Sequence, residues 1–236
     1  MFPEHDAGRP IVCLVTDRRR LCAGCSRTQA VECMMEQARG AVAAGVDLLQ
    51  IREADVEAAA LTALAARMVE IARGSATRVL VNDRLDVAIA AGAAGVHLRA
   101  DSMPADAARR VAPRGFLIGR SVHSVEEAVA AGAADYLIAG TAFPTVSKPD
   151  AGCLGESGLA AIVSAAHVPV LAIGGVTLDT MACVAAAGAA GFAAIGFFLD
   201  DGTPCRSASP GPRVATARAR FDTVKRLPNI SRVSAG

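Results

Sequence analysis

Thr145, Ser147 and Lys148 share a turn that follows a hydrophobic run, Tyr136 to Ala139, and a glycine, Gly140. Two hydroxyls, the loop amides and an ammonium at a strand's carboxyl end suit a phosphate or diphosphate. The same succession recurs along the chain, an apolar run ending in polar residues. Gln50 and Arg52 close one run, Asn82, Asp83 and Arg84 the next, and His97, Arg99 and Asp101 a third. Ser121 and His123 close a fourth. Gly174-Gly175 and Ile195-Gly196 end the last two, where bare backbone amides can meet a phosphate. Taken singly, each has a plainer account: Asp83 as a cap on the helix after it, Arg52 as a surface charge, Gly174-Gly175 as a turn. Those accounts leave unexplained why all these ends turn polar.

The elements that must position these residues come next. Ile11 to Asp17 reads as a buried strand ending in a polar turn, and Arg18 to Arg27 as a basic, cysteine-containing loop. Further strands are expected at Asp47–Arg52, Arg78–Asp83, Gly95–Leu98, Phe116–Ser121, Tyr136–Gly140, Val170–Gly175 and Gly191–Phe198. Between them the spacing predicts helices at Thr28–Ala44, Val56–Arg73, a short segment to Ala91, Pro104–Val111, Val125–Ala131, Leu159–Ala166 and Leu178–Ala187, with Pro212–Arg226 last. Eight strand-then-helix units close a parallel barrel. An internal echo agrees: an alanine pair and a glycine, Gly45, Gly92, Gly132 or Gly188, precede the second, fourth, sixth and eighth strands. Each glycine ends a helix and starts a tight turn. An open doubly wound sheet predicts no such echo and carries a glycine-rich loop after its first strand, where this chain has Thr16-Asp17-Arg18. The expected fold is α/β, a single (β/α)8 TIM barrel. Residues 1–10 read as a tail, 11–200 as the barrel core, 201–211 as a linker, and 212–236 as the last helix with a disordered end.

Composition excludes several classes. The chain has 236 residues, 53% of them hydrophobic, and a net charge of +1, so the core is large and no strongly charged partner is implied. One tyrosine and no tryptophan argue against a stacking surface for nucleic acid. The apolar runs are short and the first residues polar, so neither a membrane span nor a signal peptide is expected. Of seven cysteines, Cys13 and Cys183 lie in apolar runs, which suits reduced thiols in a cytoplasm. Cys22-Ala-Gly-Cys25, with Cys33 beyond, has the spacing of a zinc or redox pair, but no fourth ligand is near. Reduced loop thiols are the expectation there.

Together and in this order, Gln50-Ile-Arg52, Val81-Asn-Asp-Arg84, Gly95-Val-His-Leu98, Gly119-Arg-Ser-Val-His123, Phe143-Pro-Thr-Val-Ser-Lys148 and Ala172-Ile-Gly-Gly-Val176 resemble the motifs of thiamine phosphate synthase and its relative, thiazole tautomerase. The resemblance spans about residues 11 to 200 and implies a barrel enzyme of thiamine biosynthesis that binds a thiazole phosphate. On the synthase pattern, Gln50, Arg52, Asn82, Ser121 and Lys148 match positions that hold a pyrimidine diphosphate, and Asp83 a magnesium ligand. Thr145, Ser147, Gly175 and Ile195 match the thiazole phosphate site, beside Gly174 and Gly196. Departures accompany the match. Ala54 stands where synthases carry lysine, Ser102 where they carry a second metal carboxylate with Asp101 one residue away, and Gly196 where they carry serine.

Those departures, with the stretch from Ile118 to Ala128, turn the expectation toward the tautomerase, with no cofactor. There His123 would shuttle a proton, as a group with a near-neutral pKa can. The alternative is the synthase, with Mg2+ held by Asp83 and, if its loop shifts, Asp101. A non-catalytic thiamine-pathway binding protein is the third reading. His97, on an apolar strand, is expected to be a packed core residue. Expected partners are the small-molecule thiazole phosphate and, on the synthase reading, a pyrimidine diphosphate, without nucleic acid or membrane, with homo-oligomer formation left open.

Overall fold

The computed structural model of the chain describes residues 9–145, 152–199 and 210–226. Eight parallel strands close a barrel in sequence order: β1 Ile11–Val15, β2 Leu48–Ile51, β3 Arg78–Asn82, β4 Gly95–Leu98, β5 Leu117–Val122, β6 Tyr136–Gly140, β7 Val170–Ile173 and β8 Gly191–Ala194. The seam is β1 on β8, with Val12 opposite Phe192. Helices cover the outside: α1 Arg18–Leu21, α2 Arg27–Ala43, α3 Ala58–Ala72, α4 Leu85–Ala90, α5 Ala105–Val111, α6 Val125–Val129, α7 Gly155–Ala165, α8 Met181–Ala186 and α9 Pro210–Arg226. The expected single (β/α)8 barrel is the fold observed.

Strand alternation divides the apolar residues into two layers. Cys13, Leu48, Leu80, Leu117, Tyr136 and Leu171 fill the barrel interior. The intervening residues, Leu49, Val81, Ile118 and Leu137 among them, face the helices and meet Met34, Met68 and Leu159. Burying a side chain of this size contributes about 1.5–3 kcal/mol, so both layers drive closure. The turn glycines of the echo hold the left-handed backbone expected of them, with φ of 67° at Gly45, 67° at Gly92, 63° at Gly132 and 79° at Gly188.

The echo carries a second device. Asp47 and Asp135 each stand directly before the next strand, and each receives a backbone N–H of the preceding one. Val12 donates to Asp47 at 2.8 Å and Ile118 to Asp135 at 2.7 Å. An arginine completes each clamp, Arg218 of α9 on Asp47 at 3.1 Å and Arg109 of α5 on Asp135 at 2.6 Å.

Several boundaries differ from the sequence reading. The stretch 18–27 is not all loop: Asp17 caps α1 by accepting from the Arg20 amide at 3.1 Å. β7 stops at Ile173 because Gly174 and Gly175 take φ of 93° and 64°. β8 stops at Ala194, and Gly196–Phe198 form a 3-10 turn that folds Phe197 against Phe192, ring centres 5.2 Å apart. α9 begins at Pro210 rather than Pro212 and buries Val214, Ala217 and Phe221. The expected tail at 1–8, most of the linker (201–209) and the end from Asn229 lie outside the described residues.

Candidate active site

Because strand residues alternate, the last inward position of several strands reaches the carboxyl rim above the apolar interior. Gln50 of β2, Asn82 of β3, His97 of β4 and Ser121 of β5 occupy those positions. Asn82 is in register with His97, and His97 with Gly119, so these side chains form adjacent parts of one rim. Gln50 is buried and its amide nitrogen has no hydrogen-bond partner.

His97 is buried, as a core residue would be, but it is also the centre of a polar chain. Its Nε2 lies 2.9 Å from the Ser121 hydroxyl and its Nδ1 lies 3.2 Å from the Tyr136 hydroxyl. Gly119 makes room for that tyrosine: a Cβ there would sit 2.1 Å from the Tyr136 ring. Burial lowers the His97 pKa to about 3 and pushes the Tyr136 hydroxyl well above its ordinary value. His97 is therefore neutral at physiological pH. It orients Ser121.

Asp83 directly follows β3 and takes φ of 62°, in the left-handed region. It does not cap the next helix: Arg84 is the cap residue of α4, and no side chain bonds there. Asp83 Oδ1 is buried without a partner, and the other side of the carboxylate lies 3.8 Å from Arg99. Asp101 behaves differently. It is exposed, and both of its oxygens are taken by the Arg99 guanidinium, which holds its pKa below the usual carboxylate range. Arg99 thus lies between Asp83 and Asp101 and is committed to Asp101. Among the described residues no cluster of three metal-ligating side chains occurs.

His123 sits just beyond β5 with its ring exposed to the rim. Its Nδ1 bonds to the Gly140 carbonyl, and its amide donates to Glu127 at 2.7 Å. A carbonyl only accepts, so Nδ1 carries a proton, and in the neutral tautomer Nε2 is the nitrogen left to accept. This geometry is competent to accept a proton from a ligand.

The opposite side of the rim is backbone. Gly175 packs so closely on the β6–α7 loop that a Cβ would lie 2.5 Å from the Pro144 carbonyl oxygen and 2.6 Å from that of Phe143. Gly174 packs in the same way on Thr141. Thr145, the residue after Pro144, is half-buried. Ile195 and the exposed Gly196 close the rim beside β1, where a Cβ on Gly196 would be 3.4 Å from the Arg20 guanidinium. Ser147 and Lys148 lie outside the described residues.

Arg52 is exposed, and its placement depends on a buried group that the sequence reading passed over. Thr16 Oγ1 accepts from the Arg52 amide at 3.0 Å and donates to Glu53 at 2.8 Å. Glu53 in turn accepts from the Arg18 amide and guanidinium, and Arg18 and Arg19 both reach Asp55. Arg18 holds the Asp55 carboxyl well below its ordinary pKa. The polar turn Thr16-Asp17-Arg18 after the first strand was the available signal.

Comparison with known proteins bears on the family and the fold. The family model described as thiamine monophosphate synthase matches residues 13–197. A thiamine-phosphate synthase of Methanoculleus marisnigri is 46% identical over 77% of this chain and 88% of its own. One of Roseiflexus castenholzii is 38% identical over 91% and 87%. The solved thiamine phosphate pyrophosphorylase of Pyrococcus furiosus superposes with a TM-score of 0.75 at 30% identity, covering 92% of this chain and 98% of that one. A barrel with this rim, matched over most of its length, belongs to the thiamine monophosphate synthase family.

Proposed function

We propose that the protein is a thiamine-phosphate synthase, the reading placed second on sequence grounds. The observation that carries it is Asp83: a carboxylate oxygen, buried and unpartnered at the rim, suits a hard cation and has no task in a tautomerisation. The names of the relatives at 46% and 38% identity favour the same choice over the tautomerase.

In this reading the carbon–oxygen bond to diphosphate breaks, and the thiazole nitrogen then bonds to the pyrimidine methylene carbocation that is left. The charge that grows on the leaving diphosphate must be met by fixed donors and cations. Gln50, Asn82 and Ser121 would bind the diphosphate from the inner rim, and Arg52 and Lys148 from its edge. Ser121 is pre-set by neutral His97, so its hydroxyl is oriented before substrate arrives. The thiazole phosphate would lie against the amides of Gly174, Gly175, Ile195 and Gly196, with Thr145 and Ser147. Asp83 fits a magnesium ion; Asp101, committed to Arg99, does not fit as a second ligand in this arrangement. Magnesium bound at Asp83 would neutralise diphosphate charge.

A second reading keeps one specific observation. His123 turns Nδ1 to the Gly140 carbonyl at the same rim, which leaves Nε2 as the nitrogen a tautomerase would use to move a proton on a carboxylated thiazole phosphate. The deciding experiment supplies aromatic thiazole phosphate, pyrimidine diphosphate and magnesium to the purified chain. Thiamine phosphate formation that depends on Asp83 is the expected result. If only the non-aromatic carboxythiazole phosphate turns over, and that turnover needs His123, the tautomerase stands instead. Binding without turnover of either substrate set would indicate a non-catalytic binder.

A further inference from the structure

Cys22 and Cys25 form a disulfide, with Cα atoms 5.5 Å apart, so the expectation of reduced loop thiols does not hold for this pair. The reason is local. Cys22 closes α1, and the Cys25 amide turns back to the Cys22 carbonyl at 3.2 Å, which brings the two side chains together. A third sulfur stands against the bridge. Cys33, on the second turn of α2, places its thiol 3.6 Å from the Cys22 sulfur. Cys22 is buried, whereas Cys25 and Cys33 are partly exposed.

We propose that Cys22, Cys25 and Cys33 form a thiol–disulfide exchange site in which Cys22 is the central sulfur and pairs with either of the other two. Its external reactants are small disulfides and dithiols. In the internal step the Cys33 thiolate attacks the Cys22 sulfur. The Cys22–Cys33 bond forms, the Cys22–Cys25 bond breaks, and Cys25 leaves as a thiolate that takes up a proton from water. One disulfide and one thiol are present before and after, so no oxidant is consumed. Reduction at the partly exposed Cys25 by a dithiol opens the site, and a disulfide donor closes it again.

Which pair is closed has a structural consequence. Cys22–Cys25 ties only a four-residue turn, whereas Cys22–Cys33 would fasten the end of α1 to the side of α2. α1 carries Arg18, which braces Glu53 and through it the Thr16 hydroxyl that holds the Arg52 amide. Burial, with Glu32 and Glu36 nearby, raises the Cys33 pKa and keeps its thiolate scarce, which slows the internal step from the Cys22–Cys25 pair seen in the structure.

Trypsin makes the two pairings distinguishable. Cleavage after Arg20, Arg27 and Arg39 puts Cys22 and Cys25 in one peptide, 21–27, and Cys33 in the next, 28–39. The full chain is reduced with dithiothreitol, reoxidised with oxidised glutathione, alkylated, digested and analysed by mass spectrometry. In the wild type the expected main product is the internally bridged peptide 21–27, with a minor cross-linked pair 21–27/28–39. Cys25→Ser should raise the cross-linked pair by about tenfold or more, and Cys33→Ser should remove it. Should Cys25→Ser yield glutathione on Cys22 and no cross-linked pair, or wild-type protein show only free thiols after glutathione treatment, the exchange site is overturned. The wild-type map is decisive even if a variant folds poorly.

Discussion

His97 Nε2 lies 2.9 Å from Ser121 Oγ, and that contact sets a rim hydroxyl from a buried, neutral imidazole. The folded-state pKa of about 3 lies below the ordinary value of 6.5, so the unfolded chain binds a proton that the folded barrel excludes. The contribution of this group to stability is therefore complete above pH 6.5 and is lost as pH falls toward 3. Melting temperatures between pH 7 and 4 should decline less steeply in His97→Gln than in the wild type. Parallel slopes would remove His97 as a source of acid sensitivity.

Asp83→Asn keeps the side-chain shape, and asparagine tolerates the positive φ of this position. The melting temperature should be nearly unchanged, while kcat/KM for thiamine phosphate formation should fall by about 10²–10³-fold. Steady-state rates across a magnesium titration test this. A wild-type rate at saturating magnesium would exclude Asp83 from the site.

His123 separates the two readings of the active site. If the protein couples the two substrates, His123→Ala should cost less than about tenfold in kcat, because no proton has to be relayed at the step that breaks the diphosphate bond. A loss of about 10²-fold or more would show that the imidazole takes part in the chemistry. Parallel assays with both substrate sets supply the comparison.

The two aspartate clamps are predicted to act on stability alone. Asp47→Ala leaves the Val12 amide without its acceptor, and Asp135→Ala does the same to Ile118. Each should cost about 1–3 kcal/mol in urea unfolding. The clamps hold different strands and share no partner, so the double variant should show the sum. KM values should not move. A changed KM would mean that the clamps transmit strain to the rim.

Gly175→Ala tests the backbone side of the rim. Its Cβ would meet the Pro144 and Phe143 carbonyl oxygens at 2.5 and 2.6 Å, so the two loops must part. Displacing amides from a phosphate by a fraction of an ångström should raise KM for the thiazole phosphate by about tenfold, with a smaller change for the pyrimidine diphosphate. Equal changes in both would place the effect on the whole rim rather than on this loop.

The sequence by itself determined the barrel and most of its rim. Hydrophobic runs, the glycines at 45, 92, 132 and 188, and the polar residue after each run are local signals, set by near neighbours and by strand alternation. They placed Gln50, Asn82, Asp83 and Ser121 at strand ends, where the structure has them. Tertiary structure decided which of these residues serve one another, because pairing across strands depends on register and not on spacing along the chain. The family resemblance gave Asp83 as a metal ligand and Asp101 as a second one only if its loop shifts; Arg99, folded between them, occupies Asp101 and leaves a buried oxygen of Asp83 without a partner. His97 looked like core filling until β4 was set beside β5, where its ring meets Ser121. Cys33 is distant from Cys22 in sequence, and only the packing of α2 on α1 brings the two sulfurs to 3.6 Å.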